Sequence, residues 1–203
     1  MDISTLHTLT EDLAAFLSEA THGDLHLPVP SISGDLGDLY VHLVERNERL
    51  VITLTDRAVA DDRRSEPTRR ADLEAVADPC GDCGLDAGYR RSALLVENAF
   101  VSAHQREQYQ GRAGHVELAT VYEAQISNTV LHTWDIAQAL GLAYQPSPDI
   151  ARQVLRSALR LSTQSPVRSR LGTDMGAAFD DPGIFDCVLR LSGRTGGSRD
   201  GAQ

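Results

Sequence analysis

The sequence predicts an all-α fold, a helical bundle with additional short helices. Three observations carry that expectation. Apolar residues recur at i, i+3/i+4 and i+7 in four or five segments of 16 to 25 residues, the period of a helix with one buried stripe. Aromatic residues make up only 5% of the chain while Ala and Leu are plentiful, a balance that favours helix over sheet. No segment alternates apolar and polar residues as a half-buried strand does. Helices of that number and length pack naturally as a bundle. With 203 residues the default is one domain, expected over 1–194, with 195–203 as a disordered tail.

The elements follow in order. Residues 5–20 place Leu6, Leu9, Leu13, Phe16 and Leu17 on one stripe. The following GDLHLPVPSISGD has two Pro and two Gly and reads as a loop. Asp35 is a natural N-cap for a long helix over about 36–60, and Asp38 adds a first-turn carboxylate that suits the helix dipole. Its apolar members are Leu36, Leu39, Val41 to Val44, Leu50, Val51 and Leu54. Residues 61–88 are charged and broken by Pro and Gly, so they read as loop with a short helix at 70–77. A third helix spans about 88–111, with Leu94, Leu95, Ala99, Phe100 and Val101 as its apolar members and Gly111 and Gly114 at its end. A fourth spans about 116–140, with Gly141 at C′. Ser147 or Asp149 caps a fifth at 148–162, and IFDCVLRLSGR is the last apolar segment.

Charge and cysteine content remove whole classes of function. A net charge of −10 repels phosphate backbones, which argues against nucleic-acid binding. All 19 basic residues are Arg, a bias expected of GC-rich coding and hence of a bacterial source. Three Cys do not make a disulfide framework. The N-terminus has no basic region followed by an apolar run, and no apolar stretch approaches a membrane span, so the expected location is the cytoplasm.

Two histidines stand out. His42 sits among Leu39, Val41, Leu43 and Val44, and His132 among Val130, Leu131 and Ile136, so each is expected near the apolar face of its helix. Two inward imidazoles on two long helices can converge on a metal, because bundle cores are where such sites are built. The bland alternative is a pair of hydrogen-bonded structural histidines. Glu45 and Asp135 each lie three residues after a His, on the same helix face, as ligands or, the blander reading, as outer carboxylates that orient the rings or members of solvated salt bridges. Trp134 lies ~160° around the helix from His132 at ~100° per residue, and is expected to pack elsewhere as a structural residue. Cys80 and Cys83 form a single CxxC with no second pair, a weak metal signal.

Taken together, the two His segments resemble a known family. PVPSISGDLGDLYVHLVERNERL is similar to the first metal-binding segment of the DinB/YfiT-like superfamily, in its mycothiol-dependent maleylpyruvate isomerase branch. Pro30, Asp38, Leu39, His42 and Leu43 match that branch's pattern. VLHTWDIAQALG resembles its His-x-Trp-Asp-Leu-Ala-x-Ala-x-Gly segment, and IFDCVLRLSGR, ending at Arg194, resembles its closing helix. The resemblance implies a four-helix bundle whose core holds a divalent metal, zinc or nickel, through three residues. The matching positions are His42, Asn128 and His132. Asn128 stands where the family usually has Glu, Asp or His, and a neutral amide is a poor ligand for either ion. Glu45, Glu123 or another carboxylate is then needed to complete the set. Gly34 stands where the family's Trp is expected.

What the resemblance implies about function is a metal-dependent thiol enzyme, a mycothiol-type S-transferase or an isomerase, acting on a small electrophilic metabolite. Its catalytic residues would be His42 and His132, with the metal lowering the pKa of a low-molecular-weight thiol. Two other readings stand beside it. A bundle that has lost its metal could use the same pocket for small-molecule binding or acid/base catalysis in a biosynthetic pathway. A bundle with a purely structural role could form a homodimer.

Overall fold

The computed structural model describes residues 2–55, 73, 84–105, 117–162 and 183–194. The chain divides into two compact units, 1–143 and 144–203. The all-α expectation holds, with six α-helices among the described residues.

The first unit contains α1 (Ile3–Ser18), a short 3₁₀ helix (His22–His26), α2 (Leu36–Thr55), α3 (Leu85–Gln105) and α4 (Leu118–Ala139). Asp2 caps α1 by accepting from the Ser4 backbone N–H. Asp35 and Asp38 start α2 as a reciprocal pair. Asp38 N–H donates to Asp35 Oδ1 at 3.0 Å, and Asp35 N–H donates to Asp38 Oδ2 at 3.3 Å, the logic of a capping box. α4 ends in a Schellman turn at Gly141, whose φ of 71° suits glycine. There Leu142 N–H reaches Ala137 O and Gly141 N–H reaches Gln138 O.

Three features differ from the expectations. Pro28–Val29 and Gly34–Asp35 pair as a two-residue antiparallel ladder inside the expected loop, too short for alternation to announce it. α3 begins at Leu85, three residues before the expected 88. Its Leu94, Leu95 and Val101 are exposed rather than core-facing. Its buried stripe runs Leu85, Tyr89, Ser92, Ala93, Val96, Glu97, Phe100, Ala103, because four polar or aromatic side chains share the inner face and shift it around the helix. The expected helix ends beyond Thr55 and Gln105, the 70–77 helix apart from helical Leu73, Cys80, Cys83 and the 195–203 tail lie outside the described residues.

Leu13, Leu17, Leu25, Leu36, Leu39, Leu43, Tyr89 and Ile136 form one core that draws on all four helices and the 3₁₀ turn. α2 packs along α3, α3 along α1, and α1 along α4. Arg90 of α3 ties onto α1 through Glu11 at 3.0 Å, and also pairs with Asp86 one turn earlier. α2 and α4 are not packed backbone against backbone, so side chains must bridge them, and the candidate site lies along that seam.

The second unit holds α5 (Pro148–Ser162) and α6 (Ile184–Leu191), which pack on each other. Ser147 is the cap of α5, with Ile150 N–H reaching its Oγ at 3.4 Å. Tyr144 and Phe185 meet edge to face at 6.1 Å.

Candidate functional site

α4 turns a polar row inward. Gln125, Asn128, Thr129 and His132 recur at i, i+3, i+4 and i+7, the spacing of one helix face. α2 answers with His42, Arg46 and Asn47. The two rows meet in two places. The His42 and His132 rings lie 5.7 Å apart between centroids, at 72°. Further along, Gln125 Nε2–H donates to Asn47 Oδ1 at 3.3 Å. The rung at 42 and 132 precedes the rung at 47 and 125 along α2 and follows it along α4, so the helices run antiparallel there.

The two histidines differ in setting. His132 is buried, and its Nδ1 lies 3.1 Å from Oδ2 of Asp135, which is wholly buried. A carboxylate can only accept, so Nδ1 carries the proton and the Nε2 lone pair is left for other work. The spacing of three residues puts Asp135 on the face of His132, and in the structure its carboxylate holds the His132 tautomer. Trp134 is buried, as a structural residue should be.

His42 departs from expectation. The residue is exposed, at the rim rather than in the core, although its ring lies against His132. Its pKa is lowered, first by the partial burial of the ring, then by His132, Arg46 and Arg49, with Glu45 opposing. A lowered His is a neutral imidazole at neutral pH.

The remaining expected residues separate. Glu45 pairs with Arg49 at 3.5 Å, one turn along α2. Asn128 is half-buried on α4, one turn before His132. A zinc or nickel site of the implied kind needs three donors. Here two imidazoles and a neutral amide face the seam, and among the described residues no three His, Cys, Asp or Glu side chains gather. His132 with Asp135 behind it has the form of a metal ligand with its outer carboxylate. The described donor set nevertheless falls one anionic or imidazole ligand short, and does not fit a three-ligand site.

Sequence reasoning missed Arg46, Asn47, Ser92, Gln125 and Thr129. Asn47, Gln125 and Thr129 are buried, and Asn47 Nδ2–H donates to Ser92 Oγ at 3.0 Å. The signal was present: Gln125 and Thr129 stand seven and three residues before His132, on its face.

Comparison with known proteins adds one match. The model of the mycothiol maleylpyruvate isomerase N-terminal domain family matches residues 6–137, which lie within the first unit. No curated protein matches the chain. No solved structure matches it either.

Proposed function

Because the chain belongs to the mycothiol maleylpyruvate isomerase N-terminal domain family, we propose that it is a thiol-handling enzyme acting on a small electrophilic metabolite at the His42–His132 pair. The observation that carries the reading is the approach of the two rings at 5.7 Å, with Asp135 fixed behind one of them.

The chemistry runs on imidazoles. His132 Nε2 takes the proton of a low-molecular-weight thiol, and Asp135 stabilises the imidazolium that forms, as the carboxylate does in other nucleophile–His–carboxylate sets. The thiolate sulfur bonds to an electrophilic carbon of an activated alkene, and the alkene electron pair moves to the neighbouring carbon. His132 returns its proton to that carbon in an S-transferase, giving the thioether. In an isomerase, rotation about the new single bond precedes elimination, which restores the alkene, and the departing thiolate recovers the proton. His42, neutral at the rim, orients the thiol by hydrogen bonding. No step requires a metal. A member of this family holding zinc or nickel at His42, Asn128 and His132 would need a third strong donor.

The test combines two measurements on purified full-length protein. Thiol-dependent consumption of an activated alkene should fall about 100-fold or more in His132→Ala, the scale of a lost general base. Unchanged turnover in that variant would sink the assignment. Elemental analysis after incubation with zinc or nickel should find well under one ion per chain. One tightly held ion per chain, lost in His132→Ala, would replace the imidazole mechanism with a metal-dependent one.

A further inference from the structure

α2 presents Arg46 one turn beyond His42 on the same face. The residue is half-buried, and its charge helps to lower the pKa of His42 four residues before it. Burial holds its pKa below the ordinary arginine value, yet an arginine stays charged. Among the described residues no carboxylate pairs with it. Glu45 pairs with Arg49 and Asp135 with His132, while Glu97 meets His7 through Oε2 and its buried Oε1 has no hydrogen bond. A guanidinium drawn out of water without a counter-ion is unfavourable unless a ligand supplies one.

Its polar neighbours are engaged with one another. Thr129 Oγ–H donates to the Gln125 backbone carbonyl, and Ser92 Oγ–H to the Tyr89 backbone carbonyl. A second group on the seam also lacks a partner: Gln125 is 3% exposed, and no hydrogen bond reaches its Oε1. A half-buried cation without an anion and a buried acceptor without a donor, on facing helices, are what a bound polar molecule would satisfy.

We propose that Arg46 is an oxyanion subsite, taking a carboxylate or phosphate of the molecule on which the His42–His132 pair acts. Its place beside the reacting carbon rests on the reading of that pair given above. The binding of an anion does not. Guanidinium offers two parallel N–H donors to two oxygens, which fixes direction as well as charge. Arg46 stands four residues beyond His42, about 6 Å along the axis of α2, on the same face. On a chain of net charge −10, this local cation also offsets the general repulsion of anionic metabolites.

The test is a titration of full-length protein with acetate, succinate and inorganic phosphate, at ionic strength held constant with sodium chloride. Melting temperature and the His42 imidazole NMR shift are the readouts. The parent should show a saturable rise in both. Succinate or acetate acting alone assigns a carboxylate, and phosphate acting alone assigns a phosphate. Arg46→Met should weaken the response at least tenfold, and Arg46→Lys should keep part of it. His132→Ala should lose thiol turnover and retain the anion response, so failure of the chemistry and failure of the subsite are read separately. No saturable effect beyond sodium chloride, or an equal effect in Arg46→Met, overturns the proposal. If Arg46→Met does not fold, Arg46→Gln takes its place with the same two outcomes.

Discussion

Asp135 and His42 show how far one residue's surroundings redirect its chemistry. Asp135 is wholly buried against His132, so Asp135→Asn keeps the shape while removing the charge that holds the Nδ1 proton. Turnover should drop at least tenfold with little change in KM, whereas a purely structural aspartate would move stability alone. For His42 the folded pKa is lowered, so the unfolded chain binds more protons below the ordinary value of 6.5. Stability is therefore fully present above 6.5 and falls as the pH drops from there through the folded pKa. His42→Gln should flatten that part of a plot of melting temperature against pH, and a profile as steep as the parent's would refute the assignment. The identity of the two histidines was legible from their apolar flanks. Their unequal exposure was not, because it depends on how far α2 stands from α4, and no local pattern encodes that spacing.

Helix ends were the most legible elements, because capping is local chemistry. Asp35 and Gly141 act where their residue types predict. Asp35→Ala should remove the reciprocal bond with Asp38 and cost about 1 kcal/mol, read by chemical denaturation. The same turn explains Gly34, which stands where the family's pattern has Trp. A Cβ there would lie 2.9 Å from Asp38 Oδ2, so a side chain at 34 would press on the cap. Gly88 marks a second close approach, between α2 and α3, since its added Cβ would overlap the Tyr40 hydroxyl. Tyr40 is buried and has little room to turn. Gly88→Ala should therefore destabilise by ~1–3 kcal/mol from overpacking, less the gain of up to ~1 kcal/mol that alanine brings inside a helix. The inner face of α3 was misread because a search for apolar letters passes over Tyr89, Ser92 and Glu97. Ser92 and Glu97 are buried through partners on other elements, Asn47 at 3.0 Å and His7 at 3.2 Å, and Tyr89 joins the core.

At the scale of the molecule, the bundle core, the seam and the family's matched residues 6–137 all fall within the unit that closes at Ala143. The core's buried leucines come from α1, α2, α3 and the 3₁₀ turn, with Ile136 from α4, so every long helix of this unit contributes apolar surface to it. The Schellman turn at Gly141 closes α4 through backbone bonds to Ala137 and Gln138, and needs nothing beyond Leu142. A chain ended after Ala143 should thus keep the hydrophobic burial that drives its folding. Far-UV circular dichroism should show a cooperative thermal transition of a helical protein, and the His42 and His132 imidazole signals should keep their parental shifts. A noncooperative melt, or collapse of both histidine signals to the values of an unfolded chain, would show that residues beyond 143 are part of the same folding unit. No single motif encodes this boundary, because α5 has the same kind of apolar stripe as the helices before it. What separates the units is which stripes face one another, and that is decided by packing rather than by periodicity.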